Sequence, residues 1–277
     1  MKKHASTIFL VLMLVIGLSL ILYPSIADWW NSFHQTRAIA SYDATLSEMK
    51  EEDYSHLFDA AVEYNRRMSS LKFPLMYYDQ IEGYESLLDI TGTGIMGYID
   101  IPKIDVKLPI YHGTSEGVLR IAVGHVQGSS LPTGGEGMHC VLSAHRGLPS
   151  ARLFTDMDQI QIGDIFTLSV LDRTLTYQVD QILTVLPHEV EPLYAVEGED
   201  YCTLVTCTPY GINSHRMLVR GRRSESAATV RVKRVTADAA IVEPLLVAPV
   251  VAAPILLLLL LLILIPRPLK KRRYDFL

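Results

Sequence analysis

The chain is poor in cysteine, with three thiols, Cys140, Cys202 and Cys207, in 277 residues. So small and odd a number excludes a disulfide-stapled scaffold, because each bridge uses two thiols. If one thiol stays free, the other two can pair. Basic charge is in deficit, with 25 Lys and Arg against 30 Asp and Glu and a net charge of −5. That leaves no global positive field to attract nucleic acid. The nine histidines never fall at a His-x-x-x-His spacing, so no metal site is expected. No internal repeat or low-complexity tract stands out. The chain is long enough for one sizeable core plus appendages. Charged residues amount to only 20% against 49% hydrophobic, and the mean hydropathy of +0.22 is high for a soluble chain.

The apolar excess sits at the two ends. Thr7 to Tyr23 is a run of 17 uncharged residues before Pro24, preceded by Lys2, Lys3 and His4. Its length is near the lower limit for a membrane-spanning helix, and the flanking cations suit a cytoplasmic start. A signal peptide cut near Ser25-Ile26-Ala27 is the competing reading, although the apolar run is long for one. Leu245 to Ile265 adds 21 uncharged residues, kinked by Pro249 and Pro254, and is followed by Arg267, Lys270, Lys271, Arg272 and Arg273. Cations at that end place the C-terminus inside, despite Arg231, Lys233 and Arg234 on the other flank. Two transmembrane helices with both termini cytoplasmic put everything between them outside the cell.

Between the anchors the texture changes once. Residues from 35 to about 90 read as largely helical, and Ala44 to Leu71 contains neither glycine nor proline. "KFPLMYYDQIEGYESLLDI" then breaks the helix. From Gly92 the chain is β-branched and punctuated by turns. "IFTLSVL" and "TLTYQVDQILTVL" form a hairpin pattern around Asp172-Arg173, and "HCVLSAH", "YCTLVTCT" and "HRMLVRGRR" are further strands. Many short strands with glycine and proline turns point to a closed or nearly closed all-β barrel.

Three residues in this region carry candidate chemistry. Cys207 ends a strand and meets a Pro-Tyr-Gly turn, a place where a side chain reaches substrate. A lone thiol is more often buried and inert, a description that suits Cys140 and Cys202 better. A cysteine needs a basic neighbour to act as thiolate, since its free pKa is about 8.5. His145 starts a loop after an apolar strand, and His125 is its rival. Arg216 lies in the strand after the turn, where a guanidinium can donate to an oxyanion. Taken singly, His145 reads as a structural residue and Arg216 as a surface arginine.

Together these segments resemble the sortase family. "TLVTC" is similar to its Thr-Leu-x-Thr-Cys signature, "TPYGINSHRMLVRG" to the segment bearing its arginine, and "HCVLSAHRG" to the strand and loop bearing its histidine. The likeness covers roughly Tyr84 to Arg223, about half of the chain. The two anchors and the helical appendage resemble class C sortases, which polymerise pilins in Gram-positive bacteria. The resemblance implies a barrel of about eight strands and selects His145 over His125. It implies that Cys207 attacks the Thr–Gly amide of an LPxTG-like sorting signal, His145 acts as acid and base, and Arg216 steadies the oxyanion. The acyl group then passes to a pilin lysine amine without ATP or cofactor. Thr206, Thr208 and Asn213 are candidate substrate contacts.

The expected organisation is a cytoplasmic start at 1–6, a span at 7–23 and a helical appendage at 24–90. The catalytic barrel follows at 91–224, then a linker at 225–244, a second span at 245–265 and a basic cytoplasmic tail at 266–277. One feature departs from the class. Its Asp-Pro-aromatic lid motif is missing, because the chain has no Asp-Pro. Phe73, Tyr77 and Tyr78 are the aromatic residues left to cover the nucleophile. The alternatives are an enzyme that uses a cell-wall amine as acceptor, a hydrolytic cysteine protease, and a non-catalytic membrane-bound binding module. The expected partners are pilin or other surface proteins with an LPxTG-like C-terminal signal, the acceptor lysine amine of a pilin, and the lipid bilayer of the plasma membrane, with no nucleic acid.

Overall fold

The computed structural model describes residues 2–224. These fall into two compact units, one ending at Ile26 and the other starting at Ala27. The second apolar run, the linker and the basic tail lie outside the described residues.

Helix α1 spans Lys2–Glu48 and contains Pro24 in its interior. The sequence expectation placed the end of the span at that proline. A proline removes one backbone donor, but an apolar helix tolerates the loss. From Phe9 onward α1 is long and apolar enough to cross a membrane. After a break at Met49-Lys50, α2 spans Glu51–Ser69. No glycine or proline marks this break. Glu51, Glu52 and Asp53 occupy the first turn of α2, where acidic side chains complement the helix dipole. Helix α2 buries Phe58, Ala61, Tyr64, Asn65 and Met68, a stripe at helical spacing that joins the barrel core. Each large apolar side chain in it contributes about 1.5–3 kcal/mol through burial. The helical region is therefore shorter than the expected run to residue 90. A one-turn helix, α3 (Pro74–Tyr77), and short 3₁₀ turns follow.

The eight strands are β1 (Ile95–Ile101), β2 (Val106–His112), β3 (Val123–His125), β4 (Met138–Ser143), β5 (Ile165–Val170), β6 (Arg173–Val185), β7 (Asp200–Thr208) and β8 (His215–Arg223). They close a barrel in the order β1-β2-β3-β4-β7-β8-β6-β5, with β5 returning to β1. Two of its pairs, β2 with β3 and β4 with β7, are parallel. Parallel neighbours need a crossover. One crossover carries α4 (Glu116–Leu119), capped by the Ser115 hydroxyl accepting from the Val118 N–H. The expected hairpin is β5–β6, but its loop is Leu171-Asp172 and Arg173 already pairs with Val170. Leu171 takes a left-handed φ of 50°. Its N–H donates to the Tyr42 hydroxyl at 2.8 Å, and that hydroxyl donates to the Met96 carbonyl at 3.0 Å. Tyr42 thus ties the C-terminal half of α1 to both edges of the β1–β5 closure. Ile99, Leu142, Phe166, Leu168, Leu204 and Val219 fill the barrel.

Candidate active site

The barrel order sets β4, β7 and β8 side by side. Cys207 faces Arg216 directly across the β7–β8 ladder. On the other side, Ser143 at the end of β4 is paired with Val205. The ladder runs one residue further, with the Ala144 N–H donating to the Val205 carbonyl at 3.2 Å. Carrying that register on by two residues from Ser143 sets His145 level with Cys207. Directly opposed residues on adjacent strands point to the same face, about 4.8 Å apart strand to strand. Cys207 and Arg216 therefore share one face, and the continued register sets His145 in the same row, with successive members 62 and 9 residues apart in the chain. Cys202 is five residues from Cys207 and so has the opposite parity. It lies in the core, fully buried, while Cys207 stays partly accessible.

Each member of the row is held by its neighbours. Thr206 is buried, and its hydroxyl donates to the Ala144 carbonyl at 2.9 Å. The sequence reading made Thr206 a substrate contact, but its hydroxyl instead fixes the residue before His145. The His145 carbonyl accepts the Phe154 N–H at 3.1 Å. Further along that loop Arg146 donates to the Thr155 carbonyl and pairs with Asp158 at 2.7 Å. Helix α1 also reaches the loop: Asn31 donates to the Ser150 carbonyl at 2.7 Å, and Asp28 accepts the Arg152 N–H at 2.8 Å. Gly147 takes a φ of 75°, and the Tyr210 ring stands 2.7 Å from where its Cβ would be. That contact joins the His145 loop to the turn between Cys207 and Arg216. Arg216 Nη1 donates to the Asn213 and His215 carbonyls at 3.1 and 3.0 Å. Its other N–H groups have no partner among the described residues and are available to an incoming oxygen.

The remaining expected residues are placed differently. Thr208 is partly buried at the end of β7, and Asn213 is exposed with a φ of 62°. Asn213 meets the row through its carbonyl on Arg216. His125, the rival histidine, is fully buried with one ring nitrogen 2.9 Å from the Tyr84 hydroxyl and the other 2.9 Å from the Ser130 carbonyl. Cys140 pairs with Cys202 in the β4–β7 register and is also buried. Burial pushes the Cys202 thiol well up, so it stays protonated. Phe73, Tyr77 and Tyr78 are exposed. Their segment crosses Gly128, at a φ of 89°, where a Cβ would meet the Pro74 carbonyl and Leu75. Among the described residues, no hydrogen bond or ring contact joins these three aromatics to Cys207, His145 or Arg216.

Comparison with known proteins gives the family of this fold. The sortase domain model matches residues 99–224, the part that contains the whole row. The crystal structure of sortase C1 from Streptococcus agalactiae superposes with a TM-score of 0.64 at 52% identity, covering 68% of this chain and 98% of that one. This chain belongs to the sortase family, in class C. Sortase C of Streptococcus pneumoniae superposes with a TM-score of 0.62 at 44% identity, over 68% of this chain and 96% of that one. Sortase D of Bacillus subtilis is 30% identical over 148 residues, which are 52% of this chain and 71% of that protein. This sortase spans about half, 47%, of the length of the Streptococcus agalactiae sortase A that it also matches. Reading the sequence missed the loop ties from Asp28, Asn31 and Tyr210, and also Glu116. Nothing in the local sequence around Glu116 says which loop its short helix will meet.

Proposed function

We propose that this sortase is a membrane-anchored cysteine transpeptidase that cuts an LPxTG-like sorting signal between Thr and Gly and transfers it to a lysine amine of a pilin subunit. The row of His145, Cys207 and Arg216 at one rim carries the proposal. The Cys207 sulfur, as thiolate, adds to the threonine carbonyl carbon. The carbonyl oxygen becomes an oxyanion, which the free N–H groups of Arg216 stabilise. His145 gives its proton to the glycine nitrogen as the C–N bond breaks, leaving a thioester on Cys207. The incoming amine then loses a proton to His145 and displaces the thiolate. One amide is broken and one is formed, so no external energy source is needed.

The class of pilin substrate is supported by likeness: the Streptococcus pneumoniae relative is described in terms of pilin substrate specificity, and its fold extends over this chain's barrel. Helix α1 supplies an anchor, and a second span over 245–265 would set both termini in the cytoplasm and the barrel outside the cell. Phe73, Tyr77 and Tyr78 lie on the segment that would carry a lid, and their exposure favours an open cleft.

The test uses the full chain in detergent micelles with an LPxTG-containing peptide and a lysine-bearing pilin fragment. Transpeptidation predicts a joined product that grows with acceptor concentration. Peptide cleavage that is indifferent to added amine would make the protein a hydrolase and overturn the proposal. Joining to cell-wall peptide amines but not to the pilin lysine would move it to the anchoring type.

A further inference from the structure

The imidazole of His145 has one nitrogen that the catalytic row does not explain. Nε2 is buried and has no hydrogen-bond partner. Its nearest acidic oxygen is Oε2 of Glu116, on α4, at 3.6 Å. The other oxygen of that carboxylate, Oε1, accepts from Arg120 Nε at 2.7 Å. Arg120 first, and His145 after it, hold the Glu116 carboxyl below the usual carboxylate range. At 3.6 Å there is no hydrogen bond, but the pair is within ionic reach.

We propose that Glu116 is a positioning residue for His145, one that selects the Nε2–H tautomer. This rests on the function proposed above. A neutral imidazole has one N–H and one bare nitrogen, and the partner of one nitrogen decides the state of the other. With Nε2 buried toward a carboxylate, the proton belongs on Nε2. Nδ1 is then the bare nitrogen left to exchange a proton with the thiol. When Nδ1 is protonated, the positive ring closes on Glu116 Oε2 and forms a charge-assisted bond. The logic is that of the acid behind the histidine in a serine-protease triad, supplied here by an exposed helix.

The other charged groups near His145 are engaged elsewhere or belong to the reaction. Arg146, its chain neighbour, is turned to Asp158. Arg120 on α4 is bound to Glu116 itself. Arg216 on β8 is held by two backbone carbonyls, and Cys207 on β7 is the nucleophile. Glu116 is thus the acidic group within ionic reach of the imidazole among the described residues.

The carboxylate is the acceptor that keeps the proton on Nε2. In Glu116→Ala that acceptor is gone, the Nε2–H tautomer is less populated, and kcat/KM falls about three-fold. Glu116→Asp keeps a carboxylate and restores most of the rate.

The experiment measures the full chain in micelles in two ways. One is kcat/KM with an LPxTG peptide and an amine acceptor. The other is the tautomer of the neutral His145 ring by NMR of 15N-labelled histidine, assigned by its loss in His145→Ala. A smaller Nε2–H fraction with a lower kcat/KM in Glu116→Ala, and recovery in Glu116→Asp, supports the proposal. An unchanged His145 tautomer in Glu116→Ala overturns it. His145→Ala and Cys207→Ala are the separating controls. If they abolish transfer while Glu116→Ala changes nothing, only the role of Glu116 falls. If either one leaves transfer intact, the underlying catalytic reading falls.

Discussion

Cys207 illustrates how little a single side chain decides. In the proposed function it acts as a nucleophile together with the arginine opposite it, the histidine in line with it, and Thr206, which turns inward and fixes the backbone before that histidine. Arg216 is the sharpest residue to test. Its fork is preset by the Asn213 and His215 carbonyls, and a lysine in its place offers one compact charge with no such geometry. Arg216→Lys is expected to lower kcat/KM about a hundred-fold. Alkylation of Cys207 by a small thiol reagent should proceed at the wild-type rate. If both fall together, the substitution has disturbed the thiol rather than the oxyanion.

Among the elements, two helices hold the loops that the site depends on. On α2, Asn65 is buried and makes three hydrogen bonds to the loop before β4: it donates to the Leu131 carbonyl and the Thr133 hydroxyl and accepts the Leu131 N–H. Asn65→Ala leaves that backbone donor buried and unpaired, at a cost of about 1–3 kcal/mol. Equilibrium unfolding should show this as a lower denaturant midpoint at an unchanged m-value. On α1, Asp28 and Asn31 hold Arg152 and Ser150 in the loop that begins at His145. Replacing both by alanine should speed amide exchange from His145 to Asp156 while leaving the β5–β8 strands protected. A rise confined to α1 would show that the loop keeps its shape without the helix. The tie from α1 to the loop was not visible in the chain, because the partners are 119 and 124 residues apart and the loop bonds through its backbone, where side-chain pattern is silent.

At the scale of the molecule, a closed barrel leaves no free sheet edge, and the row proposed to be catalytic lies where β7 ends and β8 begins. The start of α1 is long and apolar enough to cross a membrane, and the proposed function makes it an anchor. The full chain should therefore sediment with membranes, resist alkaline carbonate washing and be released only by detergent. Recovery in the carbonate-soluble fraction would exclude an integral anchor. Protease added to intact, wall-stripped cells should digest the barrel if it lies outside, as proposed. An epitope in the basic tail should survive that treatment if both termini are inside.

Much of this was readable from the residues. The start of α1 was readable as a helix long and apolar enough to cross a membrane, because that property depends on composition and length rather than on partners, while the second apolar run lies outside the described residues. Strands, hairpin and helices were visible because hydrophobic period is a local property, although the helix break at Met49-Lys50 and the hairpin loop at Leu171-Asp172 were off by what packing decides. The signature around Cys207 was legible because it is contiguous. Strand order was not. The parallel pairing of β4 with β7 joins residues more than 60 positions apart, and nothing local specifies which strands become neighbours. That pairing brings His145 level with Cys207 and buries His125 beneath Tyr84. Chemistry at the rim depends on distances of a few ångströms, and only the closure of the barrel sets them.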